Sequence, residues 1–314
     1  MRPSFRRVCA VLLVLAGGGL LSACAGRPMT DLSTLPPMPQ RAEVANVPFY
    51  PQEERYCGPA SLAMVLAWSG EDVGQEDVAG QVYTPGRKGT LRSDMLSAAR
   101  RHHRLAVEVN SIPALLKELQ AGHPVIVFQN RGISIYPLWH YAVAIGYDLS
   151  TGYLILHSGT RERHTLDIGA FERTWARGDY WGLVVLKPGE LPASGTVWDV
   201  LAAAAALERV DDKAGAATAY SSIVSRWPDN WAVHFARGNL SYGQGDLEDA
   251  AADYRRAVSL NAQAAEAWNN LALVLHEMGR REEATDAAKA AVAAAGDEDR
   301  TQYQATLEQV SAAD

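Results

Sequence analysis

The sequence has 314 residues, enough for two domains, because a single hydrophobic core of this size is near its upper limit. Its 48% hydrophobic and 21% charged residues are ordinary for a globular protein. The net charge of −7 argues against a general nucleic-acid-binding protein, and we expect no nucleic-acid partner.

The first 23 residues have the layout of a secretory signal peptide. A start with three arginines precedes an apolar run over residues 8–16 and a run of glycines. The apolar run is too short to span a bilayer, which needs about 20 apolar residues. The stretch Leu-Ser-Ala-Cys that ends at Cys24 resembles a bacterial lipobox, whose cysteine is acylated; an ordinary signal peptide with a chance cysteine is the alternative. The resemblance predicts a protein that is anchored by lipid on the periplasmic face of a bacterial outer membrane.

Residues 24–45 are rich in proline and in small or polar residues. Such a composition is typical of an extended, poorly ordered linker. We therefore expect these residues to form a tether that holds the folded part of the chain away from the membrane.

Cys57 is expected to be the only thiol of the mature chain, because Cys9 leaves with the signal peptide and Cys24 would carry lipid. It cannot form an intramolecular disulfide, although the exported compartment is oxidising. Gly58 and Pro59 follow it and an apolar helical pattern then begins, so Cys57 lies where a loop becomes a helix. Free backbone N–H groups and the helix dipole at that position favour the thiolate, which is the nucleophilic form. We interpret Cys57 as a reactive nucleophile, with an inert buried cysteine as the alternative.

Residues 46–189 are predicted to form an α+β domain. After a short first strand over residues 47–50, helical patterns dominate its first half, over residues 57–68, 73–82, 90–102 and 112–120. Strand patterns cover residues 105–109, 124–129, 139–147, 153–157 and 181–186, with one short helix over residues 168–176. Helices followed by an antiparallel sheet are typical of the α+β class.

Residues 197–314 are rich in alanine and repeat with a period of 34 residues. Ala216, Ala250 and Ala284 keep this spacing, and so do Gly245 and Gly279. The pattern resembles the tetratricopeptide repeat, a pair of antiparallel helices; a generic alanine-rich bundle is the alternative. We predict three repeats with a capping helix at residues 299–310, and we expect a protein or peptide partner on the concave face of the array.

A cysteine nucleophile needs a base close to it, and His140 is the histidine best placed for that role. It opens an apolar strand pattern, and a histidine at the mouth of a strand can point into a cleft while the strand holds it in place. The alternative is a histidine that only packs beside Trp139.

Two stretches of the first domain resemble one enzyme family. Residues 52–61 read Q-E-E-R-Y-C-G-P-A-S, and residues 139–147 read W-H-Y-A-V-A-I-G-Y. Over roughly residues 45–187 the sequence resembles the papain-like cysteine peptidases that process the double-glycine leader peptides of bacteriocins. The resemblance implies that Cys57 is the nucleophile and that His140 is the general base and acid. It also implies that the side-chain amide of Gln52 and the N–H of Cys57 form the oxyanion hole.

The resemblance implies a third catalytic residue, and here the sequence departs from the family. His157 stands where the family has an aspartate, at the end of the strand that follows the histidine strand. A neutral His157 could orient His140, but it cannot stabilise an imidazolium as a carboxylate does. Ser158, an acid such as Asp167, or a dyad without a third residue are the alternatives. The spacing from Gln52 to the nucleophile is also one residue shorter than is usual in the family.

Together these features predict an α+β papain-like cysteine peptidase domain followed by an all-α tetratricopeptide-repeat domain. The expected function is that of a lipid-anchored peptidase that hydrolyses peptide bonds in a peptide or protein substrate, with repeats that recruit substrate or partner. Another acyl-transfer enzyme on the same site and a catalytically decayed adaptor are the alternatives. The sequence has no phosphate loop, metal-ligand spacing or dinucleotide fingerprint, so we expect no cofactor and no metal.

Overall fold

The computed structural model describes residues 29–52 and 56–312 of the chain. The predicted signal peptide and the predicted lipidation site, Cys24, lie outside the described residues. In the part of the chain that the structure describes, no helix is both long and apolar enough to cross a membrane.

The first domain is built on strands that the described residues form in this order: β1 (Arg41–Glu43), β2 (Tyr83–Thr84), β3 (Gly89–Thr90), β4 (Leu105–Val109), β5 (Val125–Asn130), β6 (Trp139–Asp148), β7 (Tyr153–Ser158), β8 (Arg161–Asp167) and β9 (Gly182–Leu186). Seven of them form one antiparallel sheet in the order β4-β9-β5-β6-β7-β8, with β1 paired to the last residues of β6. The short hairpin of β2 and β3 lies outside this sheet.

Helices cover both faces of the sheet: α1 (Cys57–Trp68), α2 (Gln75–Val82) and α3 (Arg92–Arg101) on one face, α4 (Ile112–Gln120) and α5 (Ile168–Ala176) on the other. Side chains of a strand alternate between its two faces. In β5, Ile126 therefore joins the core under α1, whereas Val125 and Val127 join the core under α4. A strand that is buried on both faces needs a continuous apolar run, which is what β5 has.

Helix α1 is the buried centre of its layer, with every residue from Gly58 to Leu66 buried. A helix that is apolar on all sides is stable only when other elements surround it. Gly58 allows β3 to approach closely, because a Cβ atom there would lie 2.3 Å from Oγ1 of Thr90. The β2–β3 hairpin is thereby fixed against the helical turn that carries Cys57.

The prediction of a tether over residues 24–45 is wrong from Thr30 onward. Strand β1 pairs with the end of β6, and the hydroxyl of Tyr147 donates to the carbonyl of Pro39 at 3.2 Å. The backbone N–H of Thr30 donates to the carboxylate of Glu172 at 3.0 Å. Apolar side chains between these points pack on the core, so burial and backbone pairing outweigh the proline-rich composition. The first strand is residues 41–43, and the strand predicted over residues 47–50 is absent from the described chain.

The second domain consists of consecutive helices: α6 (Val197–Glu208), α7 (Lys213–Arg226), α8 (Trp231–Gln244), α9 (Leu247–Leu260), α10 (Ala265–Glu277), α11 (Arg281–Ala294) and α12 (Arg300–Ser311). The tight turns after α8 and α10 are made by Gly245 and Gly279, whose φ angles are +86° and +74°. Only glycine adopts this left-handed conformation at little cost, which explains why the repeat keeps a glycine at this place.

The first repeat helices pack directly on the sheet of the first domain. Leu105 of β4 and Leu201 of α6 belong to one buried cluster. The linker before α6 is held by the buried carboxylate of Glu118, which accepts the N–H groups of Ala193 at 3.0 Å and of Ser194 at 2.6 Å. A buried carboxylate is stable only when such donors surround it. The linker is therefore fixed to α4.

Candidate active site

A cleft of about 650 Å³ lies between the start of α1, the β2–β3 hairpin and the adjoining ends of β5 and β6. Cys57, His140 and Gln52 all line this cleft. Cys57 is the first residue of α1, and His140 is the second residue of β6. Three of the four predicted catalytic residues, distant in the sequence, therefore lie around one cavity.

The position of Gln52 is set by Gly159. The backbone N–H of Gln52 donates to the carbonyl of Gly159 at 3.0 Å, and its side-chain Oε1 accepts the N–H of Gly159 at 3.0 Å. Because Oε1 is the acceptor, Nε2 is a donor. The contacts of Nε2 with Oγ of Ser61 and with the carbonyl of Tyr141 are both 3.5 Å, the limit for a hydrogen bond. Gln52 thus presents a weakly used donor at the cleft, as an oxyanion hole requires.

His140 is paired with a serine. Its Nε2 lies 2.9 Å from Oγ of Ser158, one of the alternatives that the sequence left open. Among the hydrogen bonds of the described residues, none uses Nδ1 of His140. The other alternative, Asp167, accepts the N–H of Ala170 at 2.8 Å and caps α5, so its carboxylate serves the helix.

The structure does not bring the fourth predicted residue, His157, to His140. Its Nδ1 accepts the backbone N–H of Arg163 at 3.3 Å, so the ring proton is on Nε2, which donates to the carbonyl of Val47 at 3.2 Å. His157 is only 2% exposed, and both ring nitrogens are used. The prediction is corrected on geometry: His157 faces the N-terminal chain, and its neighbour Ser158 faces the imidazole.

Three successive residues at the end of β7 therefore hold three parts of the site. His157 fixes the chain that leads to Gln52, Ser158 contacts the imidazole, and Gly159 fixes the glutamine amide. A register shift between Leu156 and Ser158 interrupts the regular pairing of β7 with β8 just before these contacts. In the pairing with β6, His157 is opposite Val143, so Ser158 lies on the same face as His140.

Burial sets the protonation of Cys57 and His140. It raises the pKa of the Cys57 thiol above its ordinary value, although the backbone N–H groups of Tyr141, Gly58 and Cys57 itself oppose the shift. It also lowers the pKa of His140 to about 4, with a smaller contribution from Arg131. Both shifts favour the neutral form at pH 7. The expectation of a resting thiolate is therefore wrong, because desolvation outweighs the stabilisation at the helix N-terminus.

One wall of the cleft is aromatic. The rings of Phe128 and Trp139 stack with centroids 5.0 Å apart and planes 9° apart, and Tyr141 packs on Phe128 at 4.6 Å. The guanidinium of Arg92 lies 4.8 Å from the centroid of Phe128. Trp139 remains 50% exposed, so this wall offers a flat apolar surface beside His140.

The family model described as the Peptidase C39 like family matches residues 44–180, which contain all of these contacts to Cys57 and His140. These residues form a Peptidase C39-like domain. Models of the TPR repeat match residues 238–279, and a model of the tetratricopeptide repeat matches residues 265–298. The predicted fold class, an α+β domain of this kind followed by all-helical repeats, is confirmed. No curated protein gives a match to the chain.

Solved structures resemble the two parts of the chain separately. A Bacillus anthracis protein assigned as a C39-like peptidase is 20% identical, with 47% of this chain and 98% of that chain covered and a TM-score of 0.40. The TPR domain of Sgt2 from Aspergillus fumigatus is 21% identical, covering 36% of this chain and 76% of its own, with a TM-score of 0.34. The TPR2B domain of yeast Sti1, solved as a complex with pHsp70, is 14% identical, covering 37% and 95%, with a TM-score of 0.35.

Ser158→Ala should lower kcat/KM by about three- to tenfold, the value of one net hydrogen bond, for any reaction at this site that uses His140 as a base. The reason is that the imidazole loses its only side-chain partner among the described residues. Ser158→Asp should instead raise the pKa of His140 above its value of about 4, because a carboxylate stabilises the imidazolium. Steady-state kinetics and NMR titration of the His140 ring measure the two effects. An unchanged His140 titration in both variants would show that Ser158 is only a packing residue.

Proposed function

We propose that the chain is a lipid-anchored cysteine peptidase in which Cys57 is the nucleophile and His140 is the general base and acid. The observation that carries the proposal is that both side chains line one cleft of a C39-like domain, with the amide of Gln52 beside them. A nucleophile, a base and an oxyanion donor around one cavity are the set that acyl transfer needs.

In the first half of the reaction, His140 accepts the thiol proton as the sulfur of Cys57 attacks the carbonyl carbon of the scissile bond. Nδ1 must then be unprotonated and Nε2 must carry a proton, which the oxygen of Ser158 accepts. The developing oxyanion accepts hydrogen bonds from Nε2 of Gln52 and from the N–H of Cys57. The C–N bond breaks, His140 gives its proton to the leaving amine, and a thioester remains.

In the second half, a water molecule attacks the thioester carbon. His140 takes a proton from the water and returns it to the departing sulfur, so the acid product leaves and the thiol of Cys57 is restored. A neutral serine stabilises the transient imidazolium less than a carboxylate would. We therefore expect slower turnover than a triad with an aspartate would give.

The repeats are proposed to recruit the substrate or a protein partner, because helical repeats offer extended binding surfaces. A cavity of about 370 Å³ between α7, α8 and α9 is lined mainly by polar side chains, among them Arg237, Asp246 and Asp249. A lipid on Cys24 would hold the enzyme on the periplasmic face of the outer membrane.

Incubation with a diverse peptide mixture, followed by mass spectrometry of the products, tests the proposal. The wild-type protein should cleave a subset of peptides, and Cys57→Ser should cleave none of them. Intact-protein mass spectrometry should also detect the thioester in the wild type. If the folded wild type cleaves no peptide and forms no thioester, the adaptor alternative replaces the peptidase. If the enzyme transfers the acyl group to an added amine and not to water, the acyl-transfer alternative replaces the peptidase.

A further inference from the structure

Two cations on the β2–β3 hairpin line the catalytic cleft and have no partner among the described residues. Arg87 and Lys88 both line it and are exposed. Among the ion pairs and hydrogen bonds of the described residues, none involves either side chain. Arg92, which follows the hairpin in the chain, is by contrast paired with Asp179 at 3.1 Å.

The hairpin holds these cations on the nucleophile's side of the cleft. Thr90, at its end, packs on Gly58, the residue after Cys57. The hydroxyl of Tyr141 donates to the carbonyl of Thr90 at 3.2 Å, which joins the hairpin to the histidine strand as well. The turn that carries Arg87 and Lys88 is therefore anchored at its base, close to the predicted nucleophile.

The same hairpin has an unsatisfied polar atom. Oγ1 of Thr90 is buried without a hydrogen-bond partner, and Thr90 lines the cleft. A buried hydroxyl without a partner is uncommon in native structures and is often completed by a ligand or by water. The hairpin thus presents to the cleft two cations that have no partner among the described residues.

The described residues that line the cleft carry charge of the opposite sign to that of the whole chain. The net charge is −7, yet none of the described residues that line the cleft is acidic. A locally positive wall attracts anionic groups at short range. The acidic remainder of the protein surface repels them. The cleft is also lined by the aromatic surface of Phe128, Trp139 and Tyr141, whose side chains are uncharged.

We propose, on the basis of the peptidase function above, that the cleft selects peptides with an acidic side chain close to the scissile bond, held by Arg87 and Lys88. Guanidinium and ammonium groups both bind carboxylates, and the arginine can do so through two hydrogen bonds. The acidic side chain lies on the hairpin side, and apolar side chains of the substrate pack on the aromatic wall.

Matched peptides test the selection. Peptides that the wild type cleaves are compared with copies in which each Asp or Glu is replaced by Asn or Gln. The acidic peptide should have a kcat/KM about three- to thirtyfold higher, as expected for two exposed charge pairs. The difference should shrink when salt rises from about 0.05 M to 0.5 M, because exposed charges are screened.

Charge reversal gives the second measurement. The double variant Arg87→Glu and Lys88→Glu should lose the preference and favour peptides with lysine at the same position. Lys213→Glu, at the exposed start of α7 outside the cleft, is the matched control and should keep the preference. Equal cleavage of acidic and amide peptides by the wild type would overturn the selection and leave the peptidase function standing. Cleavage of no peptide at all would overturn both.

Discussion

His140→Ala should lower kcat/KM for peptide cleavage at pH 7 by about 10²- to 10⁴-fold, the usual contribution of a general acid and base. His140 lines the cleft with Cys57, and burial keeps its pKa at about 4, so at pH 7 it is already the free base that the attack requires. The pH profile of the wild type should accordingly rise through about pH 4 and stay flat at neutral pH. His164→Ala, on β8 outside the cleft, is the matched control and should keep full activity.

The rate of Cys57 alkylation should depend on pH and on His140 differently from the rate of hydrolysis. Because burial raises the pKa of the thiol, little thiolate exists at pH 7, and His140 does not stabilise it as an ion pair. The iodoacetamide reaction should therefore rise about tenfold per pH unit between pH 6 and 8, and His140→Ala should change it by no more than a few-fold. A rate that is high and constant across this range, and that collapses in His140→Ala, would establish a resting ion pair and contradict the neutral-pair description.

The helices and strands that follow a strong apolar period were predicted well from the sequence. The predicted strand over residues 105–109 and helix over residues 112–120 coincide with β4 and α4. Strand β8, Arg161–Asp167, was missed because it is an edge strand with charged and mostly exposed side chains, so its sequence carries little apolar alternation. Strand β1 was missed for a related reason. It forms because it pairs with the end of β6, about 100 residues later in the chain, and its own composition does not indicate a strand.

The sequence also predicted which side chains would share the cleft, but not which one would orient the imidazole. Cys57 and His140 could be found because a loop-to-helix junction and a strand mouth are visible as patterns. The position of the family's aspartate pointed to His157, with Ser158 among the alternatives. In the structure His157 is opposite Val143, so Ser158 lies on the face of β6 and β7 that carries His140. The register between β6 and β7 decides which of two neighbouring residues faces the imidazole, and that register depends on the assembled sheet.

The protonation of the site was predicted with the wrong sign. The helix N-terminus was correctly expected to lower the pKa of Cys57, and the N–H groups of Gly58 and Cys57 do so. The larger effect is desolvation, which depends on how many other elements surround α1. Burial of that kind is a property of the assembled fold and has no local sequence signal.

Gln52→Glu should lower kcat by about 10²- to 10³-fold with little change in KM, which is the usual effect of removing one oxyanion-hole donor. The glutamate keeps an oxygen to accept the N–H of Gly159, so the contact that positions the residue is retained, and the Nε2 donor is replaced by an anionic oxygen that repels the developing oxyanion. Gln52→Ala removes both groups and should lose at least as much activity, with an added loss of thermal stability because Gly159 loses its partner. Gln52→Asn is a matched control that keeps a donor on a shorter side chain, and it should retain more activity than Gln52→Glu. Steady-state kinetics and thermal unfolding of the three variants separate the catalytic effect of the Nε2 donor from the stabilising effect of the contact with Gly159. Full activity of Gln52→Glu would show that backbone N–H groups alone stabilise the oxyanion. The role of Gln52 would then be only to connect the segment before α1 to the end of β7.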